Sequence, residues 1–266
     1  MPDRQTFDDG AGMSLVAVIG GTGMNQWPGL VVKEQLRIDT PYGATSAPLL
    51  LGKVYGIKAL FLARHGEGHK LPPHGINYRA NLWALKQAGA QAVVAIAAVG
   101  AIAPWFPPGA VAVPDDLIDY TYGREHSYSD GAQAELKHVE MTEPYSARVR
   151  RELLHAALAA RVDIAEAGVM GVTQGPRLET PAEIKRLKRD GCDMVGMTGM
   201  PEAGLARELE LDYASLAVSV NWAAGLGSGD IHGEIHQSIE AGMAKVRAIL
   251  ERALPALRAR DEGMDA

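Results

Sequence analysis

Ser14-Leu15-Val16-Ala17-Val18-Ile19-Gly20-Gly21-Thr22-Gly23 carries an apolar, β-branched run straight into a glycine-rich turn. Such a run reads as a buried strand. Glycines at its end let backbone N–H groups and the Thr22 hydroxyl approach an anion closely. A dinucleotide-binding unit would need G-x-G-x-x-G opening a helix. Here Gly23 is followed by Met24-Asn25-Gln26-Trp27-Pro28, so that reading loses its support. Comparable apolar runs at 48–64, 90–102, 109–121, 166–173, 193–197 and 212–220 predict further strands, each bounded by Gly, Pro or polar residues. Helical periodicity marks 78–88, 146–161, 181–189, 201–209 and 237–258. Thr180-Pro181-Ala182-Glu183 supplies an N-cap, a first-turn proline and a reciprocal acid. The order is hairpin-rich at first and alternates strand with helix later. This predicts an α/β fold, a single domain over 14–266 whose central mixed β-sheet is flanked by helices.

The composition narrows the function classes. Of 266 residues, 47% are hydrophobic and 22% charged, which suits a chain burying a sizeable core. A formal net charge of -6 offers no basic field, so nucleic acid and anionic membrane are not expected partners. A focused arginine site still suits a small anion. Cys192 is the only cysteine, which excludes an intrachain disulfide and a CxxC metal site and fits a reducing cytoplasm. Residues 1–13 have neither the basic start nor the apolar stretch of a signal peptide and read as a mobile tail. No apolar run approaches the roughly 20 residues that span a bilayer.

Several strand ends carry candidate chemistry. Ala63-Arg64-His65-Gly66-Glu67-Gly68-His69 places a guanidinium and an imidazole where the chain leaves the sheet, a frequent location for sites in α/β folds. Arginine grips phosphate with two parallel hydrogen bonds, although an isolated one more often pairs with a surface carboxylate. The two histidines lie four apart, but intervening glycines and the lack of a third ligand argue against metal. Glu179 lies outside the capping box of the following helix, where a solvated loop acid is the commoner outcome. Thr198 stands at a helix start, either facing an anion or simply capping. Asn221 ends the last strand, where an amide both donates and accepts.

Together these segments resemble the nucleoside phosphorylase family, in the branch holding trimeric purine nucleoside phosphorylases and methylthioadenosine phosphorylases. The matching stretches are Gly20-Gly21-Thr22-Gly23, Asp39-Thr40-Pro41-Tyr42-Gly43, Ala63-Arg64-His65-Gly66, Asn77-Tyr78-Arg79-Ala80-Asn81-Leu82-Trp83-Ala84-Leu85-Lys86, Gly175-Pro176-Arg177 and Met197-Thr198-Gly199-Met200-Pro201-Glu202. The resemblance implies that Thr22, Arg64, His65 and Thr198 surround phosphate with the backbone near Ala98. It implies that Met197 lies beside the ribose and that Asn221 and Glu179 face the purine. It also implies a homotrimer in which His138 reaches the neighbouring subunit's site. Ala97 and Leu178 depart from the family, standing where relatives carry Thr or Asn and Phe, so weaker phosphate affinity and base stacking are expected.

The implied reaction is phosphorolysis, with inorganic phosphate as co-substrate and no cofactor or metal. Charge flows into the base as the anomeric carbon becomes cationic, so the site needs an anion beneath the sugar and an acceptor at purine N7. Methylthioadenosine phosphorylases carry Asp at the positions of Asn221 and Ala223 and lack the acid at Glu179, so this chain resembles the 6-oxopurine pattern. Ile235 aligns with the His that bonds a 5′-hydroxyl in inosine phosphorylases. An apolar residue there points to a methylthio group and hence to methylthioinosine as substrate. A one-residue shift would bring His236 there and favour inosine, and the usual fate of an Ile at a helix start is simply to pack in the core. The alternatives are an inosine, guanosine or methylthioadenosine phosphorylase, a nucleoside hydrolase, and a purine-binding regulatory protein without turnover.

Overall fold

The computed structural model describes residues 15–24, 26–129, 136–227 and 231–258, the side chains of residues 232, 234, 236 and 237 excepted. The expected N-terminal tail over 1–13 lies outside the described residues.

The α/β expectation holds. A ten-stranded mixed sheet forms from β1 (Leu15–Gly20), β2 (Val31–Leu36), β3 (Leu49–Val54), β4 (Ile57–Ala63), β5 (Ala90–Ala101), β6 (Val111–Ala112), β7 (Asp116–Asp119), β8 (Val169–Val172), β9 (Met194–Gly196) and β10 (Asp212–Trp222). Helices α1 (Tyr78–Gln87), α2 (Ala147–Ala159), α3 (Pro181–Arg189), α4 (Gly199–Glu208) and α5 (Ile231–Arg258) pack around it. The strand order is β2-β3-β4-β1-β5-β9-β8-β7, with β10 against β5 and β6. β2, β3 and β4 form the antiparallel opening, whereas β1, β4, β5 and β10 run parallel.

Local chemistry explains most boundaries. Val16 to Ile19 are fully buried, which is why β1 shows no polar alternation. The Asn77 side chain accepts from the Ala80 amide to start α1, and Ser146 caps α2 through Val149. Thr180 and Glu183 form the reciprocal capping box at α3. One apolar cluster joins β1, β5 and β10 to α2 and α5 through Leu153, Val246, Ile249 and Leu250. A second, containing Ala97, Val99, Phe106, Met170 and Met194, fills the space around the far end of β5.

Several elements differ from expectation. β2 lies outside the expected strands: its Val31-Val32 pair runs into the polar Lys33-Glu34-Gln35, and as an edge strand it leaves both valines exposed. The 48–64 run divides into the antiparallel pair β3 and β4. The 109–121 run divides into β6 and β7, which pair with different strands. Helix α5 starts at Ile231, before the expected 237.

Candidate active site

The site begins where parallel strands stop together. β1 and β4 pair with Gly20 opposite Ala63, so Gly21-Thr22 and Arg64-His65 leave the sheet side by side. β5 continues beyond Ala95, its last partner position on β1. With β10 occupying the other edge, the edge that β1 vacates is next paired by β9 at Gly100. Into that gap the Ile96 carbonyl projects and accepts from Arg64 Nη1 at 3.0 Å. Backbone groups alternate along a strand, so Ala98, two residues on, presents its amide to the same side. A side chain on Gly21 would place its Cβ 2.5 Å from the Ile96 carbonyl oxygen and 2.9 Å from Arg64 Nη1, so only glycine fits this corner.

Arg64 is buried, and its side-on fork faces the equally buried Glu202, Nε to Oε2 and Nη2 to Oε1 both at 2.8 Å. The Tyr213 hydroxyl also donates to Glu202 Oε1 at 2.8 Å. Burial opposes the charge on Arg64, and the Glu202 carboxylate more than restores it, holding the guanidinium above the ordinary arginine value. This corrects the expectation that the paired fork of Arg64 grips phosphate. Of its five N–H groups, three are engaged by Glu202 and Ile96, leaving one on each Nη for a ligand.

His65 has a defined tautomer. Its Nδ1 lies 2.9 Å from the Leu71 carbonyl, which only accepts, so Nδ1 carries the proton and Nε2 keeps a lone pair. Burial pushes its pKa down to about 4, aided by the charges of Arg64 and His69 and opposed by the bond to Leu71, so the ring is neutral at pH 7. Thr198 occupies the N-cap position of α4 yet makes no side-chain capping bond. Thr198 borders the cavity instead.

At the opposite end, the Thr173 hydroxyl donates to Glu179 Oε1 at 2.5 Å, leaving Oε2 as an open acceptor. The Asn221 Nδ2 donates to the Trp222 carbonyl at 2.7 Å, which orients Oδ1 as the remaining acceptor. Ala223 contributes only a methyl group to this wall. A third wall is apolar: Ile231 and Ile235 lie one turn apart on α5 and therefore on one face.

These groups enclose a cavity of about 190 Å³. It brings together Thr22, Arg64, His65, Ala98, Leu178, Glu179, Met197, Thr198, Asn221 and Ile235. Leu178 is 42% exposed and stands at the mouth. Ala97 belongs to the second apolar cluster and does not border the cavity. His138 is not brought to it, lining a separate surface cleft with Lys137, Glu140 and Arg207. The side chain of His236 lies outside the described residues. Among the described residues there is no group of three or more His, Cys, Asp or Glu able to hold a metal ion, and no helix is long and apolar enough to cross a membrane.

Sequence reasoning missed three contributors. Glu202 carried a usable signal, an acid between Pro201 and the apolar run Ala203-Gly204-Leu205-Ala206. Such an acid is buried only with a partner. Ile231 would follow from extending α5 by the six residues before 237, nearly two turns. Thr173 carried no signal, because its bond to Glu179 depends on the turn between them.

The chain matches the Phosphorylase superfamily over residues 15–255. It is 52% identical over 245 residues to a protein of Pseudomonas syringae pv. tomato named probable S-methyl-5′-thioinosine phosphorylase, covering 92% of this chain and all of that one. A protein of the same name from Xanthomonas campestris pv. campestris is 53% identical over 212 residues, 80% of this chain and 85% of that one. Among solved structures, methylthioadenosine phosphorylase from Schistosoma mansoni in complex with adenine superposes with a TM-score of 0.86 at 30% identity, covering 92% of each chain.

Proposed function

As the chain belongs to the phosphorylase superfamily, we propose that it cleaves S-methyl-5′-thioinosine with inorganic phosphate, giving hypoxanthine and 5-methylthioribose 1-phosphate. The observation that carries this reading is one cavity with three chemically distinct walls: a donor-rich corner at Thr22, Arg64 and Thr198, an acceptor pair at Glu179 and Asn221, and an apolar face at Ile231 and Ile235. The names of the relatives from Pseudomonas and Xanthomonas support the same substrate.

In this reading phosphate is both nucleophile and counter-charge for the cationic anomeric carbon. The two open N–H groups of Arg64, the hydroxyls of Thr22 and Thr198 and the Ala98 amide donate to it. Neutral His65 accepts through Nε2 from the hydroxyl of a protonated phosphate. As the C–N bond breaks and a phosphate oxygen bonds to the anomeric carbon, the bond's electrons pass into the purine, the proton given up by the protonated phosphate ends on N7, and Asn221 Oδ1 accepts a hydrogen bond from N7–H. Glu179 Oε2 accepts from N1–H of the 6-oxopurine, whereas adenine would turn a lone pair toward that carboxylate, a mismatch of a few kcal/mol when buried. Met197 lies beside the ribose, and Leu178 covers the base without an aromatic face. Phosphate already in contact with the reacting carbon supplies proximity and charge stabilisation, so the proposed reaction uses no protein nucleophile, metal or cofactor.

The proposal extends to assembly and location. His138 lines a cleft separate from its own cavity, which suits a homotrimer in which it reaches the neighbouring one, and a single buried cysteine suits the cytoplasm.

The test is incubation of S-methyl-5′-thioinosine with the protein in phosphate and in phosphate-free buffer, with both products identified. Hypoxanthine and a sugar phosphate formed only with phosphate are expected. Cleavage that persists without phosphate would establish a hydrolase. Tight nucleoside binding with no cleavage in either buffer would establish a binding protein.

A further inference from the structure

We propose that Arg124 is a positioning residue that locks the phosphate and base walls of the cavity to each other, an inference that rests on the phosphorylase reading. Strands β7, β8 and β9 run parallel, so their ends at Asp119, Val172 and Gly196 share one edge of the sheet. The segment after β7 crosses that edge and delivers Arg124. The side chain is buried, and burial opposes its charge while Tyr78 and Asp119 act to keep it. Backbone carbonyls, one side-chain amide and, at 3.4 Å, the Tyr78 hydroxyl take up the guanidinium. Nε donates to Gln174 Oε1 at 3.1 Å. Nη1 donates to the carbonyls of Met197 at 2.9 Å and Met200 at 2.5 Å. Nη2 donates to the carbonyls of Thr173 at 3.3 Å and Gln174 at 2.8 Å.

These acceptors belong to two different walls. Met197 and Met200 bracket Thr198, and fixing the Met197 carbonyl also fixes the opposite-pointing Thr198 amide of the same peptide unit. Thr173 and Gln174 lead into the turn that carries Leu178 and Glu179. That turn needs Gly175, whose φ is +61° and whose Cβ would press on Met197. The guanidinium carbon also sits 5.6 Å from the centroid of the Tyr78 ring, and the Tyr78 hydroxyl donates to the carbonyl of Pro73, another residue of the cavity. A planar fork with five directed donors spans these groups, whereas the ammonium of lysine offers three donors from one point.

The experiment compares wild type, Arg124→Lys and Arg124→Ala. Turnover of S-methyl-5′-thioinosine is measured per folded molecule, with separate KM values for phosphate and nucleoside. Binding of inorganic phosphate and of hypoxanthine is measured by the shift each causes in Tm. Loss of positioning predicts kcat/KM falling about 10–100-fold for both substrates in Arg124→Lys, smaller ligand-induced shifts, and partial recovery of Arg124→Ala by added guanidinium, which leaves the wild type unchanged. A lower Tm with kcat/KM per folded molecule and ligand shifts intact would reduce Arg124 to a structural role and overturn the proposal. An inactive wild type that still binds both ligands would sink the phosphorylase reading, while the ligand shifts would still decide Arg124. A wild type that binds neither would overturn both.

Discussion

Replacing Glu202 by glutamine removes one carboxylate with nearly unchanged shape and leaves Arg64, 1% exposed, without its counter-charge. Breaking one side of a buried pair costs about 3–5 kcal/mol, because the remaining charge stays out of water. The introduced amide would keep one acceptor for the fork and would still meet Tyr213, so the lower end, about 3 kcal/mol, applies. In a chain of this size that corresponds to a fall in Tm of roughly 6–12 °C. Phosphate should then act as the substitute counter-charge, so millimolar phosphate should raise Tm more in Glu202→Gln than in the wild type, by linkage to the folded state. The double variant Arg64→Met with Glu202→Gln should recover part of the loss, since no uncompensated charge remains. Thermal unfolding of the wild type, both single variants and the double variant, with and without phosphate, measures all three effects. A Tm for Glu202→Gln within about 2 °C of the wild type, or a phosphate shift no larger than the wild type's, would refute the claim that Glu202 balances Arg64.

Further outcomes follow from the same geometry. Arg64→Ala should abolish measurable phosphorolysis, while Thr198→Ala, losing one hydrogen bond to an anion worth about 1.5–3 kcal/mol, should keep roughly 1–10% of wild-type kcat/KM. Glu179→Gln should lower kcat/KM for the 6-oxopurine more than for the 6-aminopurine nucleoside, narrowing the ratio between them in steady-state assays. Ile235→His should raise kcat/KM for inosine and lower it for S-methyl-5′-thioinosine. His65 has a folded pKa of about 4 against an ordinary 6.5, so the unfolded chain binds the proton first as pH falls. Stability should therefore drop between about pH 6.5 and 4, by about 2 kcal/mol at pH 5 from this group. Chemical denaturation at pH 7 and pH 5 should show that increment missing in His65→Asn.

The parts legible in the sequence are those whose signals are local. The apolar run before Gly20, the capping box at Thr180 and the strand-end pair Arg64-His65 each announce themselves within a few residues, and the structure brings the last of these to the cavity. The parts that were not legible depend on contacts between distant segments. Arg64 reads as a phosphate fork until Glu202, 138 residues away, is seen to occupy that fork. Arg124 lies in a polar loop with no periodicity, and its role exists only because β7, β8 and β9 end on one edge. β2 escaped notice for the opposite reason: its valines stay exposed on the sheet edge, and its strand geometry comes from pairing with β3.

The substrate is decided by kcat/KM for S-methyl-5′-thioinosine, inosine and methylthioadenosine, measured side by side at saturating phosphate. Burial of the methylthio group against Ile231 and Ile235 contributes about 1.5–2 kcal/mol, and an unpaired 5′-hydroxyl costs about 1–2 kcal/mol, so the first substrate should exceed inosine by roughly 70- to 900-fold. It should also exceed methylthioadenosine, whose N1 lone pair faces Glu179. Equal rates for S-methyl-5′-thioinosine and inosine, or faster cleavage of methylthioadenosine, would contradict the account.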